Sequence, residues 1–508
     1  TGRIFNDWKF GAVQAVTNRE YSRIQIDGKK SRIEVEPLTY YGVIRTQRDF
    51  DKGKQGIGIL TTYTNRFFKG GDLKNQINGN ALVTGVDGWS FLDKDRTYVL
   101  TGWLVGSSVH GSTIQITSLQ ENSTHYFQRP DLNLKVDTSA TSLSGMAGRV
   151  ALNKQKGASI LNAAFGVISP GFEINDLGYQ SRTNIVNWHI GSGYKWEVPT
   201  KYYRSIYLSA AIFQSKDFNW NTIGGGSYLE GDITLPNFYS YGIYYIYGIP
   251  VLNTRATRGG PAIKVDNNQS FGVSMSSNQS KKVTFHINYS YEKYEGSSAN
   301  YHAGISVKPW SSFSFSTCLN LYKWSYNIQW LDSYSDPLAT QTYGKRYVFG
   351  KLNQTELSVD IRLDWLFSPN LSLQLYIQPY ISTGKYSNIK FLSESQTDKY
   401  TVYGEGGTTI VKSTDTDGDP IYTIDADGAG VSPEYQIDNP DYRMISLRGN
   451  AVLRWEFKPG STIYFVWNQN RYNNIDDGNF KFNRSIDDMF STKSDNVFMV
   501  KFSYWFGT

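Results

Sequence analysis

The sequence predicts an all-β chain: a transmembrane antiparallel β-barrel of about 20 strands, with short periplasmic turns and long extracellular loops. Three observations predict it. Apolar and polar residues alternate with a period of two through segment after segment, these segments tend to end in Trp, Tyr or Phe, and short Pro/Gly turns alternate with much longer polar connections.

The clearest segment is 443–457. Ile445, Leu447, Gly449, Ala451, Leu453, Trp455 and Phe457 alternate with Ser446, Arg448, Asn450, Val452, Arg454 and Glu456. In a strand, a period of two puts these sets on opposite faces, one oily and one largely polar or charged. Lys458-Pro459-Gly460 turns the chain into 461–471. The last expected strand, 496–506, places Phe498, Val500, Phe502, Tyr504 and Phe506 on one face, with Lys501 and Ser503 on the other. It closes on an aromatic cluster of the membrane-interface kind. Phe506 is the C-terminal aromatic that barrel-assembly machinery is expected to read.

Aromatic residues make up 15% of the 508, with 37 Tyr and 13 Trp, yet mean hydropathy is -0.44. A barrel accommodates both, because the inner side of each strand is polar. No run approaches the roughly 18 apolar residues of a spanning helix, so a helical membrane protein is excluded. A soluble propeller or extended glycanase sheet is the competing reading, disfavoured by strand-end Trp and Tyr and by mid-strand charge. The net charge of +6 is small for this length and no basic run marks a nucleic-acid partner. The single Cys318 excludes an internal disulfide. No signal peptide opens the sequence, although a barrel must be exported, so the chain reads as mature or trimmed at its front.

In order, 8–17 is a first strand, followed by a polar segment to Glu36. Strands at 38–48 and 57–66 flank a tight turn, and 80–91 returns to a turn at Asp93. The strand 98–109 leads into a long excursion to Thr141, and 144–153 and 159–167 form the next pair. About nine short turns and ten long loops give one domain over 1–508, with both termini periplasmic.

A charge facing lipid at the midplane costs about 2–4 kcal/mol. The charged faces therefore turn inward, giving lumen candidates Lys195, Asp360, Arg362, Asp364, Arg448, Arg454, Glu456 and Lys501. They form either a selectivity lining for a solute or ion pairs that rigidify the wall. An enzyme is not expected. His110-Gly111-Ser112 is the nearest nucleophile and base pairing but lacks a third member. His189 and His286 read as hydrogen-bonded wall residues, and no Cys/His or His/Glu set has metal-site spacing. The long loop 384–442 is a candidate plug or cap. It carries a candidate calcium site in Asp415, Asp417, Asp419, Asp425 and Asp427, because clustered carboxylates with turn glycines suit a hard cation.

Several loop motifs are more specific. They are Gln128-Arg129-Pro130-Asp131, the stretch 169–180 with Pro170, Phe172 and Asp176, Arg258-Gly259-Gly260-Pro261, Arg346-Tyr347-Val348-Phe349, and the closing 452–461. Together, and in this order, they resemble a group of Bacteroidota outer-membrane barrel proteins of unassigned function. The resemblance covers essentially the whole chain and implies an outer-membrane location. Family members usually carry a signal peptide and an N-terminal domain like a carbohydrate-binding module, neither of which stands in this sequence. The implied partners are outer-membrane lipid and lipopolysaccharide, barrel-assembly machinery and other envelope proteins. The expected function is passage of a polar solute, with a glycan-derived one suggested by the resemblance. The alternative is a non-conducting structural or accessory subunit of an export, assembly or attachment complex.

Overall fold

The computed structural model describes residues 2–4 and 7–507. Twenty-two of its strands belong to one antiparallel sheet. Two of these, Gly2–Ile4 and Tyr400–Val402, are only three residues long, which leaves the twenty long strands that the turn count predicts. Among the described residues no helix is long and apolar enough to cross a membrane.

The chain divides into two compact units. The first comprises residues 1–195, 209–227 and 251–264. Its strands Trp8–Thr17, Leu38–Phe50, Gln55–Phe67, Asn80–Phe91, Tyr98–His110, Ser142–Lys154 and Ser159–Ile168 pair in chain order. The polar segment before Glu36 is a hairpin, Glu20–Ile26 with Lys29–Glu36. It turns at Asp27-Gly28, where both residues take positive φ (48° and 77°), the backbone that a two-residue hairpin turn requires. The excursion after His110 contains the helix Thr113–Glu121, capped where the Ser112 hydroxyl accepts from the Gln115 N–H at 3.2 Å. Its Ile116 and Leu119 are buried with Ala81, Val109, Phe127 and Leu143.

The second unit comprises residues 196–208, 228–250 and 265–508. It holds the three longest strands, Phe313–Ser335, Lys345–Ser368 and Leu371–Leu392, of 23, 24 and 22 residues. Each is at least about twice the 9–11 residues that a strand of the expected barrel needs. On that extra length sits a three-stranded sheet, Thr409–Thr414, Pro420–Asp425 and Tyr435–Asp438. Its Ile424 and Ile437 bury against Tyr334, Val348, Ile389 and Phe391. The expected loop 384–442 thus starts only after Leu392, because the strand stays paired with its neighbour as far as Val348 opposite Phe391.

The last strand also differs from expectation. It spans Asp495–Ser503, and Phe506 lies beyond it, 80% exposed. Ser503 pairs with Thr462, next to the turn at Gly460, so only Ser461 of the partner strand lies beyond the pairing. Trp505 instead donates its N–H to the Ser461 hydroxyl at 3.1 Å. Before this strand, the helix Phe482–Ser491 lays Met489 and Ile486 on the apolar side of the sheet, over Ile381, Ile445 and Leu447. Arg443 fixes it by donating to Asp488 at 2.5 Å.

Candidate functional site

Register separates the two faces of the second unit. His286, Gly304, Cys318 and Asp360 lie in one row across four strands, and Asn288, His302, Asn320 and Ser358 in another. The intervening row is Ile287, Ala303, Leu319 and Val359 on the opposite face, with Ile287 49% and Leu319 44% exposed. Exposed apolar side chains thus stand on one side and hydrogen-bonding groups on the other, as the sequence alternation requires.

The polar face gathers the predicted lumen residues of this unit. Asp360 accepts from the Tyr376 hydroxyl at 2.7 Å and from the Gln378 amide at 3.1 Å. The Arg362 guanidinium lies over the Tyr376 ring at 4.8 Å, and Asp364 accepts from Gln374 at 3.1 Å. Arg448 stands opposite Gln378 on one side and Asn470 on the other. Arg454 donates to Glu456 at 2.7 Å, while Tyr464 is the register partner of both Arg454 and Lys501. Lys195 belongs to the first unit, at the end of the strand Ile185–Trp196.

Two further features of this face were not read from the sequence. Glu230, Asp232, Ser274, Asn288, Ser290 and Asn300 line a recess of about 270 Å³, beside which Tyr228 and Tyr244 stack at 6.4 Å. An aromatic run follows on the strand Phe313–Ser335 and reaches Tyr294, in the turn between Val283–Lys293 and Gly296–Val307. Tyr322 lies 6.4 Å from Trp324, Trp324 stacks on Tyr326 at 5.0 Å, and Tyr326 stacks on Tyr294 at 6.3 Å. Every second residue from 322 to 326 is aromatic, a signal visible in the sequence but open to either face until the register is known.

In the first unit three of the specific loop motifs converge, those around Arg129, Pro170 and Gly259. Arg129 donates twice to Asp131, at 3.2 and 2.9 Å, and Asp131 also accepts the Ala262 N–H at 2.8 Å. Gly259, with φ +100°, packs on Gln128 so closely that a Cβ would fall 2.5 Å from its amide nitrogen. His125 and Glu173 meet at 3.0 Å with both side chains fully buried, and the other His125 nitrogen lies 2.8 Å from the Pro170 carbonyl. Arg182 reaches Thr254 at 3.1 Å. Burial, together with the neighbouring Arg255 and Arg129 charges, pulls its guanidinium down to about 10, against the opposing pull of Asp217.

The five aspartates of the candidate calcium site are not brought together. Asp415 accepts the N–H groups of Asp417 and Asp419 at the tip of a hairpin, while Asp425 and Asp427 lie at the other end of its second strand. His110 faces Ser108 at 3.2 Å while Ser112 caps a helix, so the pairing considered for a nucleophile is not formed. His189 is hydrogen-bonded to Asn162, and His286 to His302, as expected of wall residues.

Fold and site together define an all-β protein built on a large two-faced antiparallel sheet. The chain belongs to the family described as Domain of unknown function (DUF5916), whose profile matches residues 1–507. No curated protein matches it. Among solved structures it is similar to the ferric enterobactin receptor PfeA of Pseudomonas aeruginosa, at 10% identity over 92% of this chain and 76% of that one, with a TM-score of 0.38. It is similar also to the siderophore receptor PirA of Acinetobacter baumannii, at 8% identity over 98% and 74%, with a TM-score of 0.38. For an anion-selective porin from Comamonas acidovorans the values are 9% identity, 64% and 91% coverage, and a TM-score of 0.28.

Proposed function

We propose that the chain is an outer-membrane β-barrel whose polar face lines a path for a small saccharide. The carrying observation is the aromatic run Tyr322, Trp324 and Tyr326 on the same face as Glu356, Asp360 and Asn320. Sugars present flat C–H patches and a rim of hydroxyls. Tyr and Trp rings cover the first, and carboxylates and amides hydrogen-bond the second. On this reading the exposed apolar face meets lipid and lipopolysaccharide, the short turns and both termini are periplasmic, and the small sheet on the longest strands is an extracellular cap.

The test is conductance of the folded full chain in a planar bilayer. The expected result is stable ohmic steps that linear gluco-oligosaccharides block, with the block weakened in Trp324→Ala. A folded chain that conducts nothing overturns the reading in favour of a non-conducting accessory subunit.

A further inference from the structure

We infer that His286, His302 and Cys318 form a binding site for a divalent transition-metal ion of the zinc class. The three lie on adjacent strands, Val283–Lys293, Gly296–Val307 and Phe313–Ser335, and face the same side. The Nε2 atoms of the two imidazoles are 2.8 Å apart, and the Cys318 Sγ lies 3.5 Å from the His302 ring nitrogens. All three ligand atoms fall within 4.8 Å of one another. Zinc takes imidazole nitrogen at about 2.0–2.1 Å and thiolate sulfur at about 2.3 Å, so ligands around one tetrahedral ion stand roughly 3.3–3.7 Å apart. Small side-chain rotations bring this trio to that spacing.

The surroundings are fitted to the purpose. His286 leans across the middle strand over Gly304, where a Cβ would come within 2.2 Å of its Cε1. Hydrogen is thus the one side chain that leaves the imidazole room to reach its neighbours. The Nδ1 of His302 is 2.5 Å from the Asn320 side-chain oxygen. Donation there leaves Nε2 with its lone pair toward the site, the outer-shell arrangement typical of ligating histidines. Asp360, beside Cys318 in register, adds a carboxylate close by, itself held by Tyr376 and Gln378.

All three side chains are partly exposed, so an ion reaches them from the polar side. Three protein ligands leave a fourth position for water or a solute oxygen, the pattern of an open rather than a closed zinc site. As the ion binds, Cys318 releases its thiol proton to water and forms the sulfur–metal bond, while both imidazoles bind neutral through Nε2. The sequence signal is an even interval, 286, 302 and 318, each 16 residues from the last. It matches no local metal motif, because it is set by strand length and turn length.

The test uses the folded full chain in detergent, titrated with Co²⁺ and then competed with Zn²⁺. The expected result is one ion per chain, with a thiolate-to-cobalt charge-transfer band that zinc abolishes. Cys318→Ser loses the band, and Gly304→Ala loses binding with every ligand still present. Asn320→Leu binds about 10–100-fold more weakly. Heat-modifiable gel migration checks that each variant is folded. Should one fail to fold, protection of the wild-type Cys318 thiol by Zn²⁺ against a disulfide reagent carries the test. A wild-type chain that binds no more Co²⁺ than Cys318→Ser, or a thiol that zinc leaves fully reactive, overturns the site.

Discussion

Arg129 and Asp131 are locked together by two hydrogen bonds while Asp131 also holds the Ala262 N–H, so one buried carboxylate ties two loops far apart in sequence. Asp131→Ala strands a nearly inaccessible guanidinium and a backbone donor. Removing one partner of such a pair costs about 3–5 kcal/mol. The expected outcome is faster amide exchange and proteolysis across 251–264 with the long strands still protected. Unchanged protection of that loop would show that the pair does not hold it.

Asp336 makes the small sheet on the longest strands pH-sensitive. Burial alone would raise its carboxyl, but hydrogen bonds from Ser432 and the Arg346 guanidinium prevail and hold it below the usual range. A depressed carboxylate contributes stability that is fully present above its unfolded value, about 3.9, and is lost as pH falls through the folded value. Intrinsic fluorescence of this region should therefore change only in acid, below about pH 4. Asp336→Asn should flatten that acid step and lower stability near neutral pH.

Leu453 and Arg454 test the assignment of faces. Leu453→Arg puts a charge on the apolar side and should cost about 2–4 kcal/mol in a bilayer. Arg454→Leu removes a partly exposed pair with Glu456 and should cost under about 1 kcal/mol. Urea unfolding from vesicles measures both. The opposite ranking would mean that the faces are exchanged.

Phe506 lies 4.7 Å from Tyr504 in the terminal aromatic cluster and is 80% exposed. Phe506→Ala should leave the melting temperature of the folded chain unchanged and slow its catalysed insertion. Equal insertion rates for both chains in vesicles containing assembly machinery would remove its role as a signal.

The strands were legible wherever one face is apolar. The expected 8–17 and 80–91 coincide with Trp8–Thr17 and Asn80–Phe91, because alternation is imposed by two different environments. The hairpin Glu20–Ile26 with Lys29–Glu36 carries little such contrast, since both its faces are largely exposed. Its Asp27-Gly28 turn was the available signal. The helix Phe482–Ser491 also had one, in Phe482, Ile486 and Met489 at helical spacing. That the charged residues of the second unit share one face of the sheet followed from alternation alone. The loop residues Arg182 and Thr254, 72 positions apart, and the His286, His302 and Cys318 cluster are assembled by register and loop packing, which no local pattern encodes.

The helix Phe482–Ser491 divides the oily side of a single strand into two energetic regimes. Leu453 answers to the solvent beyond the protein, so shortening it changes little more than the area offered to that solvent. Leu447, beneath Met489 and Ile486, belongs to a miniature solid interior, where the same truncation opens a void and costs about 2–5 kcal/mol. Phe482 and Phe490, 50% and 61% exposed, extend the helix's apolar surface outward in place of the side chains it covers. Along residues 442–458, then, identical letters in the same alternation obey different rules, and tolerance to substitution changes where the shadow of the helix ends.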